Sequence, residues 1–439
     1  MNRQAALLAA LATLCPPGRA AEVPSIPLDL HGYIRAGSGT STQGGEMAAF
    51  QLPGAGSKYR LGNEAEDYGE FSLDAQVYQQ AGTTFKAHIM ANFLHPFQTG
   101  SQNVGVGSSG SQRDFDMNQY WVEGIGLLGD SAAFAKAGLW AGKRYYNRNE
   151  NHIEITDFFY WNDYGNGFGL ENVELGFAKA HYAYLQYDNT NNLSAATVPD
   201  SQSGQNVVTA HAFRLSDWHV NPGGSLELGV TLKKARPYSS VMDASNSNNG
   251  LELNLQHKQA GILGGDNLFG LQYGNGSAST LDQPPGGNPA LARANRAWRV
   301  VDCLTLEQNA RFALQAVGLY QETRDGAGAR GTWTSFGGRP MLFVSRNLSV
   351  VADAGLDRVK YPADSPATAA AGGTGQLVKA TLAVVWRPEP RFWSVPQFRL
   401  FVSNARWNDA AAAAGTIANG TFGTRKSGTN YGLQGEVWW

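Results

Sequence analysis

In Ser225-Leu-Glu-Leu-Gly-Val-Thr-Leu-Lys233 every even-numbered residue is apolar and every odd-numbered one is polar or glycine. The stretch Arg311 to Tyr320 repeats this less cleanly, and Val378/Ala380/Leu382/Val384/Trp386 and Phe398/Leu400/Val402 extend it. A period of two predicts β-strands with one apolar face. Turn clusters of two sizes separate them. Asn221-Pro-Gly-Gly224 is short, whereas Ser101–Gly110, Asn189–Gly204, Ser239–Gly250 and Ala363–Gly375 are long and rich in Gly, Ser, Asn and Ala. Short turns at one end and long loops at the other are the pattern of an outer-membrane barrel. A soluble sheet would alternate equally well, so other features must decide. No linker or break in composition interrupts the pattern, which predicts one domain.

Composition favours the barrel. Charged residues make up 16% of the chain, against roughly 25% in ordinary soluble proteins. The 53 glycines fall in no long helical run. The start, Met1-Asn-Arg3 followed by an apolar run to Leu14 and then Gly18-Arg-Ala20, predicts a secretory signal peptide over residues 1–20. Leu14 and Pro16 beside Cys15 fit a lipoprotein anchor poorly. No other apolar run approaches the roughly 20 residues of a transmembrane helix, so a membrane location implies a barrel over residues 21–439. Cleavage would remove Arg3 and Arg19 and leave 32 Lys and Arg against 36 acids, a net charge of about −4. That gives no basic footprint for nucleic acid. Cys303 would be the one remaining cysteine, so no internal disulfide is expected. The chain closes on Tyr431 to Trp439, where Tyr431, Leu433, Val437 and Trp439 share one face and Gln434, Glu436 and Trp438 the other.

Candidate chemistry concentrates between Trp140 and Asp163, which hold three cations, four carboxylates and seven aromatics and lead into Tyr164-Gly-Asn-Gly-Phe-Gly169, whose glycines predict a loop. Carbohydrate needs both kinds of group: aromatic faces for its C–H surfaces and ionised side chains for its hydroxyl rim. An aromatic belt beside a charged surface loop would give the same composition.

Landmarks in order along the mature chain resemble the maltoporin (LamB-type) family of sugar-specific outer-membrane porins. They are His31-Gly-Tyr33-Ile-Arg35, Ser57-Lys-Tyr-Arg60-Leu-Gly-Asn-Glu64, Trp140-Ala-Gly-Lys-Arg144-Tyr with Arg148, and Asp157-Phe-Phe-Tyr-Trp161 followed by Gly169-Leu-Glu171-Asn172. Asn221-Pro-Gly-Gly, Gly338-Arg-Pro340-Met and the terminal Glu436-Val-Trp-Trp439 complete the set. The resemblance implies an all-β antiparallel barrel of about 18 strands, assembled as a homotrimer in the outer membrane, with residues 148–169 folding inward to narrow the pore. It implies facilitated diffusion of maltose, maltodextrins or related oligosaccharides. The partners are then the sugar, outer-membrane lipid and, in an uptake system, a periplasmic sugar-binding protein.

By the same resemblance, an aromatic slide maps onto Tyr33, Tyr68, Trp393 and Trp438. Strand parity independently places each on a polar face, which in a porin faces water. The polar track maps onto Arg35, Arg60, Glu70, Arg148 and Asp157; a salt bridge at the strand rim would explain any one of them alone, and the match of all five beside the aromatics favours sugar contact. Phe159, Asn162 and Asp266 mark departures at the constriction, where the family has Tyr, Asp and a slide Phe. The stretch between Arg148 and Asp157 is two residues longer than usual. The first external loop has Ala49 and Ala65 where many members have a cystine. Phe93 and Phe97 are the nearest candidates for the aromatic a neighbouring subunit inserts.

Other functional classes are weakly supported. There is no Gly-x-Ser-x-Gly elbow and no His-Glu-x-x-His motif, so no enzyme is expected. Gly105-Val-Gly-Ser-Ser-Gly110 lacks a surrounding βαβ unit, and the eight histidines show no ligand spacing, so neither a nucleotide nor a metal cofactor is expected. The open alternatives are a porin for sucrose or another glycoside and a general-diffusion porin.

Overall fold

Each alternating segment becomes a strand that pairs antiparallel with its neighbours in sequence, in a computed structural model that describes residues 26–97, 115–150, 155–156, 158–187, 208–235, 249–281, 291–309, 311–362 and 373–439. The strands among the described residues are β1 (Leu28–Ser41), β2 (Glu66–Gln80), β3 (Thr83–Pro96), β4 (Phe115–Ile125), β5 (Gly138–Glu150), β6 (Phe159–Glu174), β7 (Lys179–Tyr187), β8 (Val208–Asn221) and β9 (Gly224–Ala235). The second half supplies β10 (Gly250–Ile262), β11 (Gly265–Asn275), β12 (Arg296–Asn309), β13 (Phe312–Arg324), β14 (Arg330–Phe343), β15 (Leu348–Lys360), β16 (Thr374–Trp386), β17 (Gln397–Trp407) and β18 (Ser427–Trp438). β1 pairs with both β2 and β18, with Tyr33 opposite Trp438, and this closes the sheet into an 18-stranded barrel without an edge. The predicted signal peptide lies outside the described residues.

The alternation is inverted relative to a soluble protein. On β17, Phe398, Leu400 and Val402 are 58%, 52% and 46% exposed, while Gln397, Arg399 and Ser403 are at most 3% exposed. On β16, Leu382 is 54% exposed and Lys379 is 1%. The apolar face looks outward to lipid and the polar face lines the interior, as backbone satisfaction in a bilayer requires of strands. Leu382→Arg is therefore expected to lower stability by about 2–4 kcal/mol, the cost of a cation on a lipid-facing wall. Urea unfolding in lipid vesicles measures this, and an unshifted midpoint would place Leu382 off the bilayer.

The turns sort by end. Ala81–Gly82, Pro222–Gly223 and Leu263–Gly264 join even-numbered strands to odd ones; Ala81, Gly82, Leu263 and Gly264 all have positive φ, as two-residue hairpin turns require. The four long clusters of the sequence join odd-numbered strands to even ones and lie largely outside the described residues. In an outer-membrane barrel the long-loop end is external.

Two connections turn inward and build an apolar core inside the barrel. The first spans residues 42–65, between β1 and β2. Its Tyr59 ring fills the space left by Gly337 and Gly355, where an added Cβ would lie 2.2 and 2.0 Å from the ring, and its hydroxyl meets Ser335 Oγ at 2.9 Å. Thr381 donates to Leu61 O at 2.9 Å, Ser403 to Gly62 O at 2.7 Å and Asn430 to Ala48 O at 2.8 Å. These wall contacts hold the loop that has Ala49 and Ala65 in place of a cystine.

The second inward segment is shorter than the 148–169 expected from the sequence. Residues 148–150 complete β5 and 159–169 belong to β6, so the connection is confined to 151–158. Within it Ile155 is fully buried, its carbonyl accepting from Arg60 N at 3.0 Å, and Phe158 packs edge-on against Trp333 at 5.4 Å. The glycines of 164–169 serve close approach, not turning: a Cβ on Gly169 would strike the Trp140 ring and one on Gly167 the Tyr184 carbonyl. Glycine is favoured where another group comes this near.

Candidate functional site: an aromatic and charged constriction

The antiparallel register assembles the site. Tyr33 lies opposite Glu70 and Arg35 opposite Tyr68 between β1 and β2, while Trp438 and Glu436 on β18 lie opposite Tyr33 and Arg35. All sit on inward faces. The Tyr33 and Tyr68 rings approach to 5.9 Å at 55°, with the Arg35 guanidinium 5.8 Å from the Tyr68 ring centre.

Charges lock these rings in place. Arg60, from the first inward segment, donates to Tyr33 Oη at 2.7 Å and to Glu436 at 2.6 Å. Tyr33 in turn donates to Glu436 at 2.5 Å, and Arg35 donates to Tyr33 Oη at 3.1 Å. Glu64 pairs with Arg35 and Arg60, each at 3.0 Å, and Arg399 completes the network by pairing with Glu436. Carboxylates and guanidiniums buried together in this way satisfy one another's hydrogen bonds, which ions held away from bulk water require.

Arg148 forms a second clamp. It reaches from β5 past β3 and β4 to Glu70, with nitrogens at 3.1 and 3.3 Å from the carboxylate. Its guanidinium lies between the Tyr145 ring at 4.4 Å and the Phe159 ring at 4.2 Å. Tyr68 donates to the same Glu70 at 2.5 Å. Tyr33, Arg35, Tyr68, Glu70, Arg148 and Phe159, together with Glu66 and Leu94, line one cavity of about 360 Å3.

Six residues expected from the sequence thus share one cavity. Arg60 supports it from behind and Trp438 flanks Tyr33 on the neighbouring strand. Trp393 is set apart in the short connection between β16 and β17, at the end opposite the long loops, against Phe392 at 4.9 Å. Asn162 lies opposite Arg148 in the β5–β6 ladder. Asp266 shares the inward face of β11 with Gly270, against which Tyr160 packs. Asp157 lies outside the described residues. Of the two aromatics considered for a neighbouring subunit, Phe93 stacks on Phe71 at 6.3 Å on the outer wall, and Phe97 packs against the buried cluster that includes Met47 and Leu61.

Sequence reasoning missed Glu436, Glu64, Glu66 and Tyr145 as parts of the site. A faint signal existed for two of them, since Glu64 follows Arg60 by four residues and Glu436 shares the polar face of β18 with Trp438. Among the described residues no cluster of His, Cys, Asp and Glu could hold a metal ion.

Solved structures with this architecture include OpdK of Pseudomonas aeruginosa with vanillate (10% identity, TM-score 0.50, covering 94% of this chain and 99% of that one). OccAB1 of Acinetobacter baumannii is similar at 11% identity and TM-score 0.51, covering 94% and 96%. At these identities the likeness concerns the fold. The barrel, its inward segments and its charged constriction are those of an outer-membrane porin-type channel. The model of the LamB porin family matches residues 28–439, and the chain belongs to that family.

Proposed function

We propose that this channel passes oligosaccharide, with maltose and maltodextrins the leading substrates, by facilitated diffusion through the outer membrane. The carrying observation is the shared cavity: phenol rings and paired charges line the same 360 Å3 space. Arg35 is balanced by Glu64 and Glu66, and Arg148 by Glu70, so the cavity offers a polar rim without a strong net field. Such a rim suits hydroxyls better than a free carboxylate or phosphate. The Tyr68, Tyr33 and Trp438 rings form adjacent weak positions, and Trp393 lies farther along towards the short-turn end. Several weak sites suit a pore, which must load and yet release. The resemblance to maltoporins further supports a homotrimer and delivery to a periplasmic sugar-binding protein.

A second reading has its own observation. The Tyr33 hydroxyl, Arg35 and Arg60 are fully engaged with protein groups, so the cluster could simply brace a general-diffusion pore. Single-channel current in a planar bilayer separates the two. Block that strengthens from maltotriose to maltohexaose is expected, and Tyr68→Ala should weaken it about fivefold, equivalent to one lost stacking contact of roughly 1 kcal/mol. Block by sucrose alone would move the substrate to another glycoside. Conductance without block by any sugar would favour general diffusion.

A further inference from the structure

A second pattern of charge lies on the outer wall near the long-loop end. Arg296, Arg324 and Arg330 sit directly opposite one another on β12, β13 and β14. On β15, Lys360 and Arg358 lie opposite Thr332 and Thr334, and Arg406 on β17 lies opposite Val378. All six cations are exposed. Strand parity places them with the outward Trp298, Phe336, Leu356 and Val402, not with the buried Arg299, Trp333 and Asp357.

Among the described residues these rows hold two carboxylates: Glu322, which bridges Arg324 at 2.7 Å and Arg330 at 2.5 Å, and the exposed Asp302, five strands from Arg406 in the row that runs through Phe336 and Val378. Arg296, Arg358, Lys360 and Arg406 make no ion pair among the described residues. Like charges directly opposite in adjacent strands, with Cβ atoms about 5 Å apart, repel. Six cations against two acids, of which only Glu322 pairs with any of them, therefore burden the isolated wall, and bound anions would relieve it. Below the cations, towards the middle of the barrel, the same face is apolar apart from Asp302, with Phe336 67% exposed.

The geometry points to a lipid site: we infer that this face of β12–β17 binds the phosphate groups of a phosphorylated lipid in the outer leaflet, with its acyl chains on the apolar wall beneath. Charge complementarity selects the phosphate, and the apolar band beneath selects a lipid over a soluble anion. The inference rests on the outer-membrane location and is independent of the sugar proposal.

Thermal unfolding of the full chain in neutral detergent tests it. The probes are an acylated disaccharide bearing two phosphates, its phosphate-free counterpart and inorganic phosphate. The bisphosphorylated lipid alone is expected to raise the melting temperature. An R296Q/R324Q/R330Q variant should bind it about a hundredfold more weakly, taking about 1 kcal/mol per cation at a charged lipid surface. R358Q/R406Q, which breaks no ion pair of the described residues, should lose about thirtyfold on the same basis. Lys234→Gln, removing an exposed cation of β9 outside the cluster, should leave binding unchanged. Unaltered single-channel conductance would show that the variants fold. Equal stabilisation by the phosphate-free lipid or by inorganic phosphate, or undiminished binding by R358Q/R406Q, would overturn the assignment.

Discussion

Glu436→Ala is expected to destabilise the barrel by about 3–5 kcal/mol, the usual cost of removing one partner from a buried ion network. The carboxylate accepts from Arg60 at 2.6 Å and Tyr33 at 2.5 Å and pairs with Arg399. The Arg60, Arg399 and Glu436 side chains are all at most 2% exposed. Alanine would leave two guanidiniums facing each other without their shared counter-charge, and little water could replace it. The effect should reach the pore as well, because Tyr33 would lose its acceptor and Arg60, whose backbone N–H donates to Ile155 O at 3.0 Å, links the two inward segments. Urea unfolding in detergent micelles measures the stability, and channel block by maltodextrin reads the site. Glu436→Gln keeps the shape without the charge, and a loss close to that of alanine would attribute the effect to charge. An unchanged midpoint in both variants would mean that solvent screens the network.

Tyr59→Ala should cost about 3–5 kcal/mol, as for other large aromatic truncations in a packed interior, and should raise single-channel conductance. The ring is 2% exposed and is the plug between the inward loop and the β14–β15 wall. Without it residues 42–65 lose their deepest anchor and the passage beside them widens. Gly355→Leu offers the reciprocal test, since any Cβ there would enter the ring's volume. Both changes should also expose the loop to external protease. Wild-type conductance in both variants would show that the remaining ties, from Thr381, Ser403 and Asn430, hold the constriction alone.

The wall was legible in the sequence because its signal is local. Alternation at Val378–Trp386 or Phe398–Val402 reads directly as a face, and the lipid side follows once the apolar set is taken as outward. Tyr33, Tyr68 and Trp438 were legible for a related reason: each is an aromatic on an otherwise polar face. The ion network was not legible, because Arg60 and Glu436 are 376 positions apart and meet only when the sheet closes. Glycine misled at Tyr164–Gly169, where turn chemistry and room for a neighbouring ring look identical in sequence.

The closing seam carries a consequence for assembly. Tyr33 and Arg35 come from the first strand, while Glu436 and Trp438 come from the last, and the two strands meet rung by rung. A sheet that has not yet closed therefore lacks the pairing of Tyr33 with Glu436 and the Trp438 ring beside Tyr33. Closure thus completes the bracing of Tyr33, so full ligand response during refolding is expected to lag the growth of strand content and to time the last zippering event.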